Sequence, residues 1–104
     1  KVLWHLERYE EAVQAFEQAV GLKSDYPEAW ILLAESLYEM HLTKMANNPD
    51  EPADPQRAIQ AFQNYLSLRM GASDRQAVHK KIDILRDPKA HPEVLERRKA
   101  DKND

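Results

Sequence analysis

Within residues 10–22 the apolar side chains fall at Ala12, Val13, Phe16, Ala19 and Val20. Steps of three and four place them on one stripe of a 3.6-residue helix, with the intervening Glu and Gln residues turned away. Gly21 near the end is a stop signal, and Ser24, Asp25 and Pro27 supply breaking and starting signals for the next helix. That second helix is expected from residue 27 to about residue 45. Trp30, Leu33, Leu37 and Met40 form one stripe, and Leu32, Ala34, Tyr38 and Leu42 lie beside it. So wide an apolar arc suits a helix with neighbours on two sides, as in the interior of a stack.

The run Asn47-Asn48-Pro49-Asp50-Glu51-Pro52-Ala53 cannot be helical throughout, because each proline removes a backbone donor and biases the residue before it to extended geometry. Asp54-Pro55 then reads as an N-cap with proline in the first helical position. The helix it opens carries Ala58, Ile59, Phe62, Tyr65 and Leu66, and Gly71 is placed to close it. Ser73-Asp74 starts another helix, with Ala77 or Val78, Ile82 and Leu85 inward and Arg75, Lys80 and Lys81 outward, as suits a terminal position in a stack. After Asp87-Pro88, a short last helix is expected over residues 93–99, followed by a charged end.

Composition narrows the functional classes. The chain has 104 residues, 42% hydrophobic and 32% charged, with two glycines, which points to a single small helical domain with a modest core. Its net charge of -3 is unevenly spread: residues 1–46 hold four Lys/Arg against eight Asp/Glu, residues 86–104 six against five. Nucleic acid is not an expected partner, since phosphate binding needs clustered cations. The one dense basic run, Arg97-Arg98-Lys99, sits among acids and reads as a solvated tail. The absence of cysteine excludes disulfides and thiolate metal sites. No stretch approaches a membrane span or opens as a signal peptide, so a soluble protein is expected, with the cytoplasm the favoured compartment.

The chain repeats itself. Residues 12–22, AVQAFEQAVGL, align without gaps to residues 58–68, AIQAFQNYLSL. Between them lies Trp30-x-x-Leu33-Ala34-x-x-Leu37. This order resembles the tetratricopeptide repeat, with its W-x2-L-G-x2-Y followed by A-x3-F. In such a pattern Ala34 and Ala12 or Ala58 let paired helices approach, and Phe16 or Phe62 fills the gap behind them. Residues 25–30 are similar to the family's inter-repeat connection, and Arg8-Tyr9-Glu10-Glu11-Ala12 to its turn between paired helices. Four departures stand out: Leu37 replaces the usual aromatic, Glu7 lies where a turn glycine is common, Met70-Gly71 follows the second repeat instead of the expected proline, and the A-x3-F motifs are 46 residues apart against a standard period of about 34. About 12 residues are thus inserted between Leu37 and Ala58, as extra turns on the second helix plus the proline-rich loop.

The resemblance implies an all-α fold of antiparallel helix-turn-helix repeats stacked as a short right-handed solenoid. Residues 1–87 are its repeat domain: a partial repeat over 1–24, a complete lengthened repeat over 27–70 with the insertion near 43–54, and a capping helix over 73–86. Residues 88–104 make a short helix and charged tail. Fewer than three repeats is thin for independent stability. Because Lys1 already reads as mid-helix, self-association or dependence on preceding sequence is expected.

In this family the first helix of each pair lines a concave groove that receives a partner's peptide or helix. Carried onto this chain, the groove face is Glu28, Ile31, Glu35, Tyr38 and Glu39, with Lys1, Trp4 and His5 from the partial repeat. An acidic face with aromatic anchors suits a basic or amphipathic protein segment. The same residues also fit a plain core role for Trp4 and Tyr38 and an ordinary wet face for the glutamates. One subclass of the family clamps chaperone C-termini through Lys, Asn and Arg; a groove of glutamates is not built for that. The insertion is a second candidate contact, since long loops often carry function.

Nothing in the pattern suggests catalysis. No Gly-rich phosphate loop or nucleophile elbow appears, no cofactor is implied, and no enzymatic activity is expected. Glu35 and Glu39 stand four apart without a nucleophile or patterned His nearby. His79 and Asp83 share a helix face, but a metal needs three or four ligands. His5, His41 and His91 are isolated, and Met40 and Met45 read as core. The alternative to an adaptor is a structural end, or a regulatory appendage of a larger protein, with no ligand of its own.

Overall fold

The computed structural model describes residues 2–48, 54–71 and 73–99, with side chains from Glu7 onward. Its elements are α1 (Val2–Leu22), α2 (Pro27–Asn47), α3 (Gln56–Leu68), α4 (Arg75–Arg86), a 3-10 turn (Pro88–Ala90) and α5 (Pro92–Glu96). The fold is all-α, with no strand among the described residues. Much of the proline-rich insertion, residues 49–53, lies outside them.

The central element is α2, which packs against α1 on one side and α3 on the other, with α4 and α5 touching it as well. Its wide apolar arc is the reason: Ala29, Leu33, Ala34, Leu37, Tyr38, Leu42 and Ala46 are all buried, and no single neighbour could cover them. Ala34 and Phe62 are wholly enclosed, and Ala58 nearly so. The absence of a larger side chain at Ala34 and Ala58 lets the helices close to interior packing distance.

The internal repeat is visible in burial. Val13 matches Ile59 and Val20 matches Leu66, all four buried, while Phe16 is only half-buried where Phe62 is enclosed. That asymmetry follows from position: α3 is covered by both α2 and α4, whereas α1 packs chiefly on α2.

Several expected boundaries move. The turn over residues 8–12 does not form; α1 runs unbroken from Val2 to Leu22. Arg, Glu and Ala are strong helix formers, and no glycine or proline interrupts residues 2–20, so continuing the helix keeps backbone bonds that a turn would break. Ala12 is accordingly half-buried instead of sealed in a helix pair. Gly21 is itself helical, and no described residue takes a positive φ, so neither glycine acts as a left-handed stop. The third helix ends at Leu68, short of Gly71. At its start the Asp54 carboxylate accepts the Gln56 amide at 3.0 Å, the expected capping bond, although Gln56 is the first helical residue.

Asp74 precedes α4 but does not cap it. Both its carboxylate oxygens instead accept the Tyr65 hydroxyl at 2.9 Å, tying α3 to the start of α4. Burial, then the hydrogen bond and charge of Asp74, push the Tyr65 pKa upward. The last helix covers only Pro92–Glu96, shorter than residues 93–99.

Candidate protein-interaction face on the second helix

Tyr38 is the centre of the expected groove face, and it is buried, with 5% exposure. The ring packs edge-on against Phe62, centroids 6.1 Å apart at 79°. Two cations flank it: Lys81 Nζ from α4 lies 5.5 Å from the ring centre, and the Arg98 guanidinium, just past α5, also lies at 5.5 Å. Each cation is held from its other side by a glutamate of α2. Lys81 Nζ lies 3.6 Å from Glu35 Oε1. Arg98 grips both oxygens of Glu39, Nη2 at 2.7 Å and Nε at 2.8 Å.

The spacing of α2 explains the arrangement. Glu35, Tyr38 and Glu39 stand three and four apart, so they share one face and present carboxylate, ring and carboxylate in a row. Burial works against the Arg98 cation, but the hydrogen bonds and charge of Glu39, with smaller help from Tyr38 and Tyr9, hold its pKa above the ordinary arginine value. Burial also raises the Tyr38 pKa, opposed by Arg98 and reinforced by Glu39. The phenol is neutral, so its ring face is a cation–π surface at neutral pH.

Residues of α5 complete the contact. Val94 and Leu95 pack on the core cluster. Arg98 Nη1 donates to the Val94 carbonyl at 2.8 Å, and the Asn47 amide donates to the Arg98 carbonyl at 2.9 Å. Arg98 is therefore no part of a solvated tail. Its side chain is 18% exposed because the acidic face of α2 desolvates and binds it. The sequence signal was the pair Val94-Leu95 ahead of Arg98, an apolar turn that a free tail does not need.

Other expected face residues go elsewhere. Glu28 stands about 16 Å along the helix axis from Glu39 and pairs with Arg69 beyond α3, at 3.3 Å. Ile31 is half-buried against the core. The side chains of Trp4 and His5, and all of Lys1, lie outside the described residues. Thus the structure brings Glu35, Tyr38 and Glu39 together and sets Glu28 apart.

Trp30 has its own role. Its indole Nε1 donates to the Ser24 carbonyl at 2.7 Å, which fixes the connection between α1 and α2. Nearby, Arg57 of α3 hydrogen-bonds Glu17 of α1, and both line one concavity with Trp30 and Ser24. Residues 2–40, which comprise α1 and the first four turns of α2, match the family model described as TPR repeat. The matched stretch is similar to a TPR repeat. No curated protein and no solved structure matches the chain. The matched stretch contributes Glu35, Tyr38 and Glu39, while the cations they hold come from beyond it.

A second concavity lies at the far end of α2. Its accessible volume is about 220 Å³, and Met40, His41, Lys44, Met45 and Asp54 are among its walls. Burial lowers the His41 pKa, with Asp54 opposing and Lys44 reinforcing that shift. His79 and Asp83 are both exposed. The described residues hold no group of three or more His, Cys, Asp or Glu placed to hold a metal ion. No described helix is long and apolar enough to cross a membrane.

Proposed function

We propose that this chain is a protein-interaction adaptor whose α2 face, from Ile31 through Glu39, takes a basic or amphipathic segment of a partner protein. TPR repeats generally mediate protein–protein interaction. The observation that carries the finer reading is Tyr38 lying 5.5 Å from each of two cations, each held by a glutamate of the same helix. A face that binds a lysine and an arginine within the chain has the chemistry to bind them from a partner, because ring and carboxylate supply both the dispersion surface and the charge. Glu28, paired with Arg69 farther along the helix, stands outside this face. The partner is a protein, and the adaptor needs no cofactor or catalytic group.

Titration calorimetry with a matched pair of helical peptides, one Arg/Lys-rich and one with those positions changed to Glu, tests this reading. Binding of the basic peptide alone, weakened at least tenfold by the double change Glu35→Gln and Glu39→Gln but not by Glu17→Gln, is the expected result. Equal binding of both peptides, or none, removes it.

The same internal ion pairs favour a second reading, in which the face is permanently closed and the chain is a structural end or regulatory appendage of a larger protein. Failure of every basic peptide to bind supports that alternative.

A further inference from the structure

The way Arg98 is held specifies a ligand in more detail than charge alone. Three groups converge on it: the Glu39 carboxylate on the fork of the guanidinium, the Tyr38 ring beneath its plane, and the Asn47 amide on its main-chain carbonyl. Arg98 lies in the turn just past α5, where its carbonyl stands outside the helical ladder and is open to the Asn47 donor. Its own amide donates back to the Leu95 carbonyl at 3.0 Å, and its Nη1 to the Val94 carbonyl. Val94 and Leu95 set the turn against the core.

We propose that Tyr38, Glu39 and Asn47 form an arginine-docking site for the C-terminal turn of an amphipathic helix, and that the chain's own residues 92–99 occupy it until such a helix from a partner protein displaces them. The proposal rests on the interaction reading above and adds the ligand's form: an arginine in the turn just past the helix end, its carbonyl free, with apolar residues three and four positions earlier.

Three observations support exchange over permanent closure. The occupant is short, a five-residue helix preceded by a three-residue 3-10 turn, far below the length at which a helix holds itself together. Its apolar anchors are only half-buried, and no residue of either element is fully buried. The site itself sits on a 21-residue helix packed on several sides, so it persists when the occupant leaves. Asn47 lies in the last turn of α2, beyond the residues that match the TPR repeat, so the lengthening of this helix supplies one of the three contacts.

A segment tethered in cis competes as an effective concentration, and an occupant engaged nine-tenths of the time weakens an incoming ligand about tenfold. The probe is a fluorescein-labelled synthetic peptide with the sequence of residues 91–99, followed by anisotropy against the full chain. Arg98→Ala in the chain is expected to tighten peptide binding about tenfold, and adding Glu39→Gln to that variant to abolish it. A peptide with alanine in place of its penultimate arginine is expected not to bind. The unaltered chain gives an independent reading: saturating peptide should accelerate amide exchange across residues 94–99. Equal affinity of the unaltered and Arg98→Ala chains, or peptide binding that leaves that exchange unchanged, overturns the displacement proposal. Arg/Lys-rich peptides binding through Glu35 and Glu39 would leave the broader adaptor reading standing in that event.

Discussion

Arg98 and Glu39 stand 59 positions apart and meet through two parallel hydrogen bonds of 2.7 and 2.8 Å. Most ion pairs among the described residues are exposed, as in Glu28–Arg69 and Lys99–Glu96, and contribute little. This one is different in geometry and in shielding, since the Arg98 side chain is 18% exposed and that of Glu39 35%. It fastens the turn after α5 to the centre of the fold.

A double-mutant cycle with Glu39→Gln and Arg98→Ala should therefore show a coupling of about 1 kcal/mol or somewhat more, above the usual surface pair and discounted for the exposure of Glu39. Urea denaturation at low and high salt measures it. Coupling near zero at low salt would reduce the pair to a surface contact.

Phe62 carries the repeat's packing. It is fully enclosed and meets Tyr38 edge-on, so Phe62→Ala should cost about 3–5 kcal/mol, read from the denaturation midpoint. Phe16→Ala, at the equivalent but half-buried position, should cost clearly less. Equal costs would contradict the asymmetry between α1 and α3.

Ala34 tests the steric argument from the opposite direction. With no exposed surface, Ala34→Leu should overpack the junction and destabilise by about 1–3 kcal/mol. Ala12→Leu, on the half-buried side of α1, should be better tolerated. A neutral Ala34→Leu in thermal denaturation would mean that close approach is not needed there.

Stability should fall on mild acidification because of His41. Burial lowers its pKa in the fold, so the fold prefers the neutral imidazole. The unfolded chain then binds the extra proton first: the stability from this group is fully present above the ordinary histidine pKa of about 6.5 and is lost as pH drops from there through the lower folded value. His41→Gln should flatten the pH dependence of the denaturation midpoint in that window. An unchanged slope would assign it to other groups.

Tyr65→Phe removes the hydroxyl that spans α3 and the start of α4. The expected loss is about 1 kcal/mol, and hydrogen exchange should rise in the first turn of α4 more than in α2. Uniform exchange across both would indicate that the contact anchors nothing locally.

Periodicity, capping residues and the gapless repeat of residues 12–22 in residues 58–68 determined the helices, the inward faces and the central place of α2, because each depends on neighbours three or four positions apart. Glu35, Tyr38 and Glu39 were legible as one face for the same reason. Only the tertiary structure decided that α1 passes unbroken through residues 8–12, where a family pattern suggested a turn but no residue enforces one. It alone decided that Tyr38 is sealed beneath Lys81 and Arg98, and that Asp74 serves Tyr65 instead of its own helix. Those contacts join distant parts of the chain, and their partners are selected by which surfaces the packed helices leave side by side, a property that no local spacing encodes.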